Sequence, residues 1–131
     1  MGGIKKPKKI RHKSLKTLHK KAWRLHSEYV RKSERGICYT CGKHNHWKLC
    51  NAGHYVHQNS LDFDPVNIHC QCVRCNNYLS GNLGIYAERL IAEYGEEAVA
   101  DLRHRANEIK KFTIEELENL ILLYKQKLKA L

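Results

Sequence analysis

Two Cys-x-x-Cys turns constrain this chain more than any other feature: Cys38-Tyr39-Thr40-Cys41 and Cys72-Val73-Arg74-Cys75. Each turn can present two thiolates to one ion, and two such turns make the closed tetrahedral site of a structural zinc. Thirty residues lie between Cys41 and Cys72, more than the roughly 15–20 of a simple zinc ribbon. A structured insert therefore has to sit between the two halves. Cys50 and Cys70 compete as ligands, but Cys70-x-Cys72 is a poorer chelate spacing and Cys50 stands alone. Both read as free thiols. The N-terminal MGGIKKPKKIRHK is charged and no apolar run follows it, so it does not read as a secretory leader and the expected compartment is reducing. Six cysteines in such a compartment point to metal rather than to disulfides.

The net charge of +11 sits in one segment. Residues 1–36 hold thirteen Lys and Arg against Glu28 and Glu34, and the two signs cancel over the remainder. Such clustering is the footprint of a polyanionic partner, above all nucleic acid. The expected DNA contacts are Lys5, Lys6, Lys8, Lys9, Arg11, Lys13, Lys16, Lys20, Lys21 and Arg24. A membrane is a poorer partner. The segment lacks a broad Trp/Phe/Leu face, and no stretch approaches the ~20 apolar residues of a membrane span.

At 131 residues the chain is one domain, or one domain plus an arm. Residues 1–13 read as a disordered basic arm. Residues 14–36 read as a basic helix, because Leu15, Leu18, Ala22, Leu25, Tyr29 and Val30 recur at spacings of three and four. Ser14 is its expected N-cap and Gly36 its stop. Residues 37–85 form the metal-bound core, with short strands expected over 51–57 and 66–70 and a polar link between them. The second cysteine pair then opens a helix-like run. Residues 86–131 read as helical. Tyr86, Leu90, Ile91 and Tyr94 form one stripe closed by Gly95, a second helix is expected over 96–110, and Thr113 with Glu116 makes a capping box for the last. In that last helix Ile114, Leu117, Leu120, Ile121, Tyr124, Leu128 and Leu131 form a strong stripe, which is either core or a dimer face. The fold class is α+β, mostly α by residue count.

The insert is rich in groups that do chemistry: Ala52-Gly53-His54-Tyr55-Val56-His57, then Asp62-Phe63-Asp64-Pro65-Val66-Asn67-Ile68-His69, with Asn76 and Asn77 after the last cysteine. A strand, a loop, a strand and a helix pinned at both ends by zinc would bring His54, Asn67 and Asn76 together. The order His54, Asn67, Cys72-x-x-Cys75-Asn76 resembles the HNH (His-Me finger, ββα-metal) nuclease motif, with Asn in its third position. The wider string resembles the phage NinG (Rap) recombination endonucleases. The pieces that match are GICYTCGK, AGHY, DFDPVNIHCQCVRCNNYLSGN, YAERLIAEYG and FTIEELENLILLYKQKL, spread over roughly residues 20–131.

That resemblance implies a zinc-stabilised ββα-metal core flanked by helices, and a divalent-metal endonuclease cutting branched DNA such as Holliday junctions or D-loops. It implies a phage-encoded protein acting in the cytoplasm of the bacterial host. His54 would be the general base, since imidazole titrates near working pH. Asn67 would brace the finger and orient His54. Asn76 would offer its amide oxygen to a catalytic Mg²⁺ or Mn²⁺. Many HNH proteins place an Asp metal ligand directly before the base, where this chain has Gly53. Asn51, His57, His69, Asp62 or Asp64 would then complete the metal shell, and His54 is either base or ligand. Cutting a junction symmetrically needs two active sites, so a homodimer is expected. The alternative is a zinc-stabilised nucleic-acid-binding module that does not cut.

Overall fold

Helix α1 (Leu15–Ser33) begins where Ser14 accepts the Thr17 N–H on its hydroxyl at 3.2 Å, the N-cap that the sequence predicts. It ends as the chain turns left-handed at Arg35 (φ +58°) and Gly36 (φ +67°), with the Gly36 N–H reaching back to the Arg31 carbonyl at 3.0 Å. A Cβ at Gly36 would run into the Asn45 carbonyl, so only glycine fits this stop. The computed structural model describes residues 14–131; the basic arm expected over 1–13, with Lys5, Lys6, Lys8, Lys9, Arg11 and Lys13, lies outside them. Among the described residues helices dominate, around one two-stranded sheet. Among the described residues no helix is long and apolar enough to cross a membrane.

The sheet pairs β1 (Cys50–His54) antiparallel to β2 (Ile68–Cys72), with Cys50 opposite Cys72 and His54 opposite Ile68. Both strands differ from the expected 51–57 and 66–70, for a physical reason. Past Tyr55 the Asn67 side chain replaces backbone in the ladder: its Oδ1 accepts the Val56 N–H at 2.8 Å and its Nδ2 donates to the Val56 carbonyl at 3.0 Å. Val66 and Asn67 meanwhile belong to a turn, since the Asp64 carboxylate accepts both of their N–H groups. Beyond β2, the expected helix-like run is a single wide π-turn over Arg74–Tyr78, closed by the Leu79 N–H on the Arg74 carbonyl.

Helix α2 (Leu83–Tyr94) ends at Gly95 (φ +91°), as its sequence predicts. Helix α3 (Glu96–Arg105) is shorter than the expected 96–110, because residues 103–110 offer no buried side chain to the core; Ile109 is 89% exposed. Helix α4 (Ile114–Lys129) carries both halves of the capping box. The middle of its stripe is core, since Leu117, Ile121 and Tyr124 bury against Leu18 and Ala22 of α1 and Phe63, while Ile114 and Leu131 at its ends are exposed. A second cluster gathers Tyr39, Tyr55, Leu61, Tyr86, Leu90, Val99 and Leu102. Tyr86 is its centre, donating its hydroxyl to the Gly53 carbonyl at 2.8 Å.

Helix α1 also buries His26, 1% exposed, with neither ring nitrogen hydrogen-bonded. It packs against Trp23, Phe63 and Tyr124. Burial, then the nearby His54 and Lys127, lower its pKa to about 4. The folded pKa lies below the unfolded one, so this neutral ring favours folding above about pH 6.5 and the benefit fades as pH falls toward 4. The expected loss is about 2 kcal/mol at pH 5. Urea melts at pH 7 and pH 5 should show His26→Phe losing less stability than wild type over that step; equal losses would contradict a neutral His26.

Candidate metal centre and catalytic cleft

The knuckle at 38–41 and the turn at 72–75 face each other across the end of the sheet, where Cys50 pairs with Cys72. The sulfurs of Cys38, Cys41, Cys72 and Cys75 all lie within 4.8 Å of one another. Zn–S bonds of about 2.3 Å in a tetrahedron put the sulfurs about 3.8 Å apart, and Cys41 Sγ stands 3.7 Å from Cys72 Sγ. The four cysteines are thus close enough to hold one metal ion, consistent with structural zinc. N–H groups point at the sulfurs, as thiolates require: Cys75 N–H on Cys72 at 3.4 Å and Asn82 Nδ2 on Cys75 at 3.7 Å. Burial resists ionisation of Cys38, but the Thr40 hydroxyl at 3.3 Å and nearby backbone groups bring its pKa down to about 6. Cys50 and Cys70 are buried free thiols outside this set. The Cys50 thiol faces the Gly36 carbonyl.

A second group of side chains meets at the other end of β1. His54 closes the strand, and its Nε2 lies 2.9 Å from Asp62 Oδ1. Asp62 Oδ2 lies 2.7 Å from Nε2 of His19, on α1. An ionised carboxylate only accepts, so both imidazoles donate through Nε2. In a neutral ring donating this way, Nδ1 keeps the lone pair. Trp23 stacks on the His54 ring at 4.7 Å and His57 at 5.2 Å. Burial and the neighbouring His54 lower the pKa of His57. These residues, with Lys20, line an open cleft of about 440 Å³. Asp62 is the one carboxylate among the lining residues.

The residues expected at the site divide. Asn67 is fully buried and ties the Val56 backbone to the Leu61 carbonyl, so it braces the loop that carries His57 and Asp62. Asn76 is absent from the cleft lining; its amide donates to Asn77 Oδ1 at 3.1 Å on the surface of the π-turn. His69 is buried elsewhere, with Nδ1 on Glu34, Nε2 on the Val66 carbonyl and its ring stacked on Tyr39. Asp64 is committed to the turn and to Arg105 at 2.9 Å. Of the basic residues of α1, Lys20 reaches the cleft and Lys16 and Arg24 are exposed. Lys21 is half-buried on the same helix. His19 and Trp23 are not legible as site residues in the sequence, because on α1 they look like one more polar and one more apolar position. Only the long-range pairing of α1 with the insert gives them a role.

Gly53 is glycine for a packing reason. A Cβ there would collide with the Gln71 side-chain amide, which is fully buried and held by its Nε2 on the Gly81 carbonyl and Thr40 hydroxyl. A carboxylate side chain fits at this position only if the Gln71 side chain moves. Gly53→Asp is therefore expected to cost at least about 2 kcal/mol by forcing Gln71 aside. A urea melt with an unchanged midpoint would mean that the Gln71 amide yields.

Residues 4–131 match the family model described as Bacteriophage Lambda NinG protein. The chain is 37% identical over 116 residues to Protein ninG of Escherichia phage lambda, covering 86% of this chain and 56% of that protein. It is 37% identical over 116 residues to Protein ninG of Escherichia phage 933W, covering 86% and 57%. It is 36% identical over 121 residues to Protein ninG of Salmonella phage P22, covering 86% and 56%. The chain thus spans little more than half the length of these relatives. No solved structure matches it.

Proposed function

The chain belongs to the NinG family, and from that premise we propose that it is a metal-dependent DNA endonuclease of the HNH type. The substrate we infer is branched DNA in recombination. The observation that carries the reading is the His54–Asp62 pair, an imidazole held by a carboxylate in an open cleft beside Lys20. Phosphodiester hydrolysis needs a water made nucleophilic and the negative charge at the phosphate neutralised. Asp62 fixes the tautomer of His54, so that Nδ1 is free to take a proton from water. Trp23 holds the ring in plane from behind. Lys20 offers the phosphate a cation at the cleft wall. Asn67 keeps the loop, and through it Asp62, in register with β1.

On this reading the four-cysteine centre is a zinc scaffold, with no coordination position left for substrate. A separate Mg²⁺ or Mn²⁺ would supply positive charge for the scissile phosphate and the leaving 3′ oxygen. Asn76, expected to ligate that ion, is not among the residues lining the cleft, and its Nδ2 donates to Asn77. Asp62 is the residue of the cleft that would hold it, because two accepted hydrogen bonds leave lone pairs on both oxygens, and Mg²⁺ commonly takes only one or two protein carboxylates. A homodimer, which symmetric cutting of a junction would require, cannot use the Leu117–Ile121–Tyr124 stripe, already covered by α1. The test is incubation of the purified chain with Mg²⁺ or Mn²⁺ and four-way, forked and linear DNA. Nicks are expected, most on the branched substrates. DNA that is bound but never nicked would leave a zinc-stabilised binding module instead.

A further inference from the structure

The knuckle carries a surface that the cleft does not use. Trp47 stands in the short turn Trp47–Leu49, and three cations surround its ring. Lys32 Nζ lies 4.6 Å from the ring centroid, the Arg31 guanidinium 5.2 Å and Lys48 Nζ 5.8 Å. Arg31 is fixed further, with Nη1 on the Trp47 carbonyl at 3.4 Å and Nε on the Ser27 hydroxyl at 3.1 Å. Of the two acids on this part of the chain, Glu28 pairs with Lys32 at 3.5 Å, while Glu34 turns to His69 and the Cys70 N–H. Three positive groups thus share one ring and one carboxylate. Like charges held together repel one another, and an anion laid across them would relieve that repulsion.

The patch is in line with the cleft. Lys20, Arg24, Ser27 and Arg31 are spaced four, three and four residues apart, which places them on one face of α1. Lys20 lines the His54 cleft and Arg31 touches Trp47. Eleven residues of helix cover roughly 16 Å, about five base pairs of duplex at ~3.4 Å each. An isolated solvated patch would have no reason to continue a basic row that ends at a candidate cutting site.

We propose that Arg31, Lys32 and Lys48, gathered on Trp47, form a second contact for the phosphate backbone of duplex DNA, about five base pairs from the bond cut at His54. The proposal rests on the reading of DNA as the substrate. Binding of the full chain to a fluorescent linear duplex and a four-way junction, with no divalent ion added, is measured from 50 to 200 mM KCl. Removing one phosphate-binding cation lowers the slope of log K against log salt by about 0.9. The double variant Lys32→Gln, Lys48→Gln should therefore lower the slope by about 1.8 and weaken binding roughly thirtyfold at 150 mM. It should melt within a few degrees of wild type, since Lys48 is exposed and half-buried Lys32 loses only a surface ion pair and a cation–π contact. Trp47→Phe, which keeps a ring for the cations, should bind like wild type. A double variant with wild-type slope and affinity would overturn the proposal. Cleavage is scored separately on the same proteins, so wild type that binds steeply but never cuts removes the nuclease reading and leaves this contact standing.

Discussion

Stripping the metal from Cys38, Cys41, Cys72 and Cys75 is expected to unfold the middle of the chain. The sheet there has two five-residue strands, and an isolated two-stranded ribbon is at best marginal in water. The ion would tie the knuckle to the turn after β2, and Tyr39 of the knuckle carries that order into the cluster around Tyr86 and Leu90. Structural zinc contributes roughly 10–16 kcal/mol in small zinc-finger peptides, as much as the whole stability of a typical domain, about 5–15 kcal/mol. Metal analysis should find one zinc per chain. Chelation, or Cys72→Ser, should lower Tm by more than about 15 °C and collapse the near-ultraviolet circular dichroism. Part of the helical signal should survive, because α1 and α4 share a cluster that contains none of the four cysteines. A metal-free protein with an unchanged Tm would show that the thiols hold no structural ion.

The second large effect belongs to His54 and Asp62. General-base groups contribute about 10²–10⁴-fold to rate, so His54→Ala should lower the cleavage rate by roughly 10³-fold. Asp62→Asn replaces an acceptor-only carboxylate with an amide that can also donate, and the tautomer of His54 is no longer imposed. A fall of about 10²-fold is expected there, with Asp62→Glu restoring part of it. His19→Ala removes the other donor to Asp62 and should cost less than either. In all of these, DNA affinity without divalent ion should not fall, because none of the changes removes a Lys or Arg from the α1 row, and Asp62→Asn removes a negative charge from the cleft. A His54→Ala protein that cuts as fast as wild type would end the nuclease reading. A loss of binding equal to the loss of cutting would make these residues structural.

The parts of this molecule legible in its sequence are those with short-range rules. Ser14 as a cap, Gly95 as a stop and the Thr113–Glu116 capping box depend on three or four neighbouring residues. The four cysteines can be chosen from six because chelation by x-x spacing is also local. The strand ends shift from their expected places because Asn67 enters the ladder with its side chain, a substitution that no alternation pattern encodes. At the site, His54 and Asn67 follow from a resemblance, while Asp62 is one of five residues that could complete a metal shell. What sets Asp62 apart is that it meets His54 and His19 at once, across eight and forty-three residues of chain. Contacts of that range depend on how α1 docks on the sheet, which is settled by packing. Asn76 illustrates the converse. Its place in a motif is clear, yet the wide turn at Arg74–Tyr78 leaves its amide with Asn77.

The contact between Gly53 and Gln71 reaches beyond stability. Gln71 fills the space a side chain at 53 would need, and through Thr40 it also touches the shell of Cys38. The two positions can therefore change only together. Among relatives that fold this way, any chain with a carboxylate at position 53 should carry a small residue at 71, and its Cys38 would have to find another hydroxyl arrangement. A paired exchange of that kind, found in natural sequences or made as a double variant, would mark where one way of supplying the cleft with a carboxylate gives way to another.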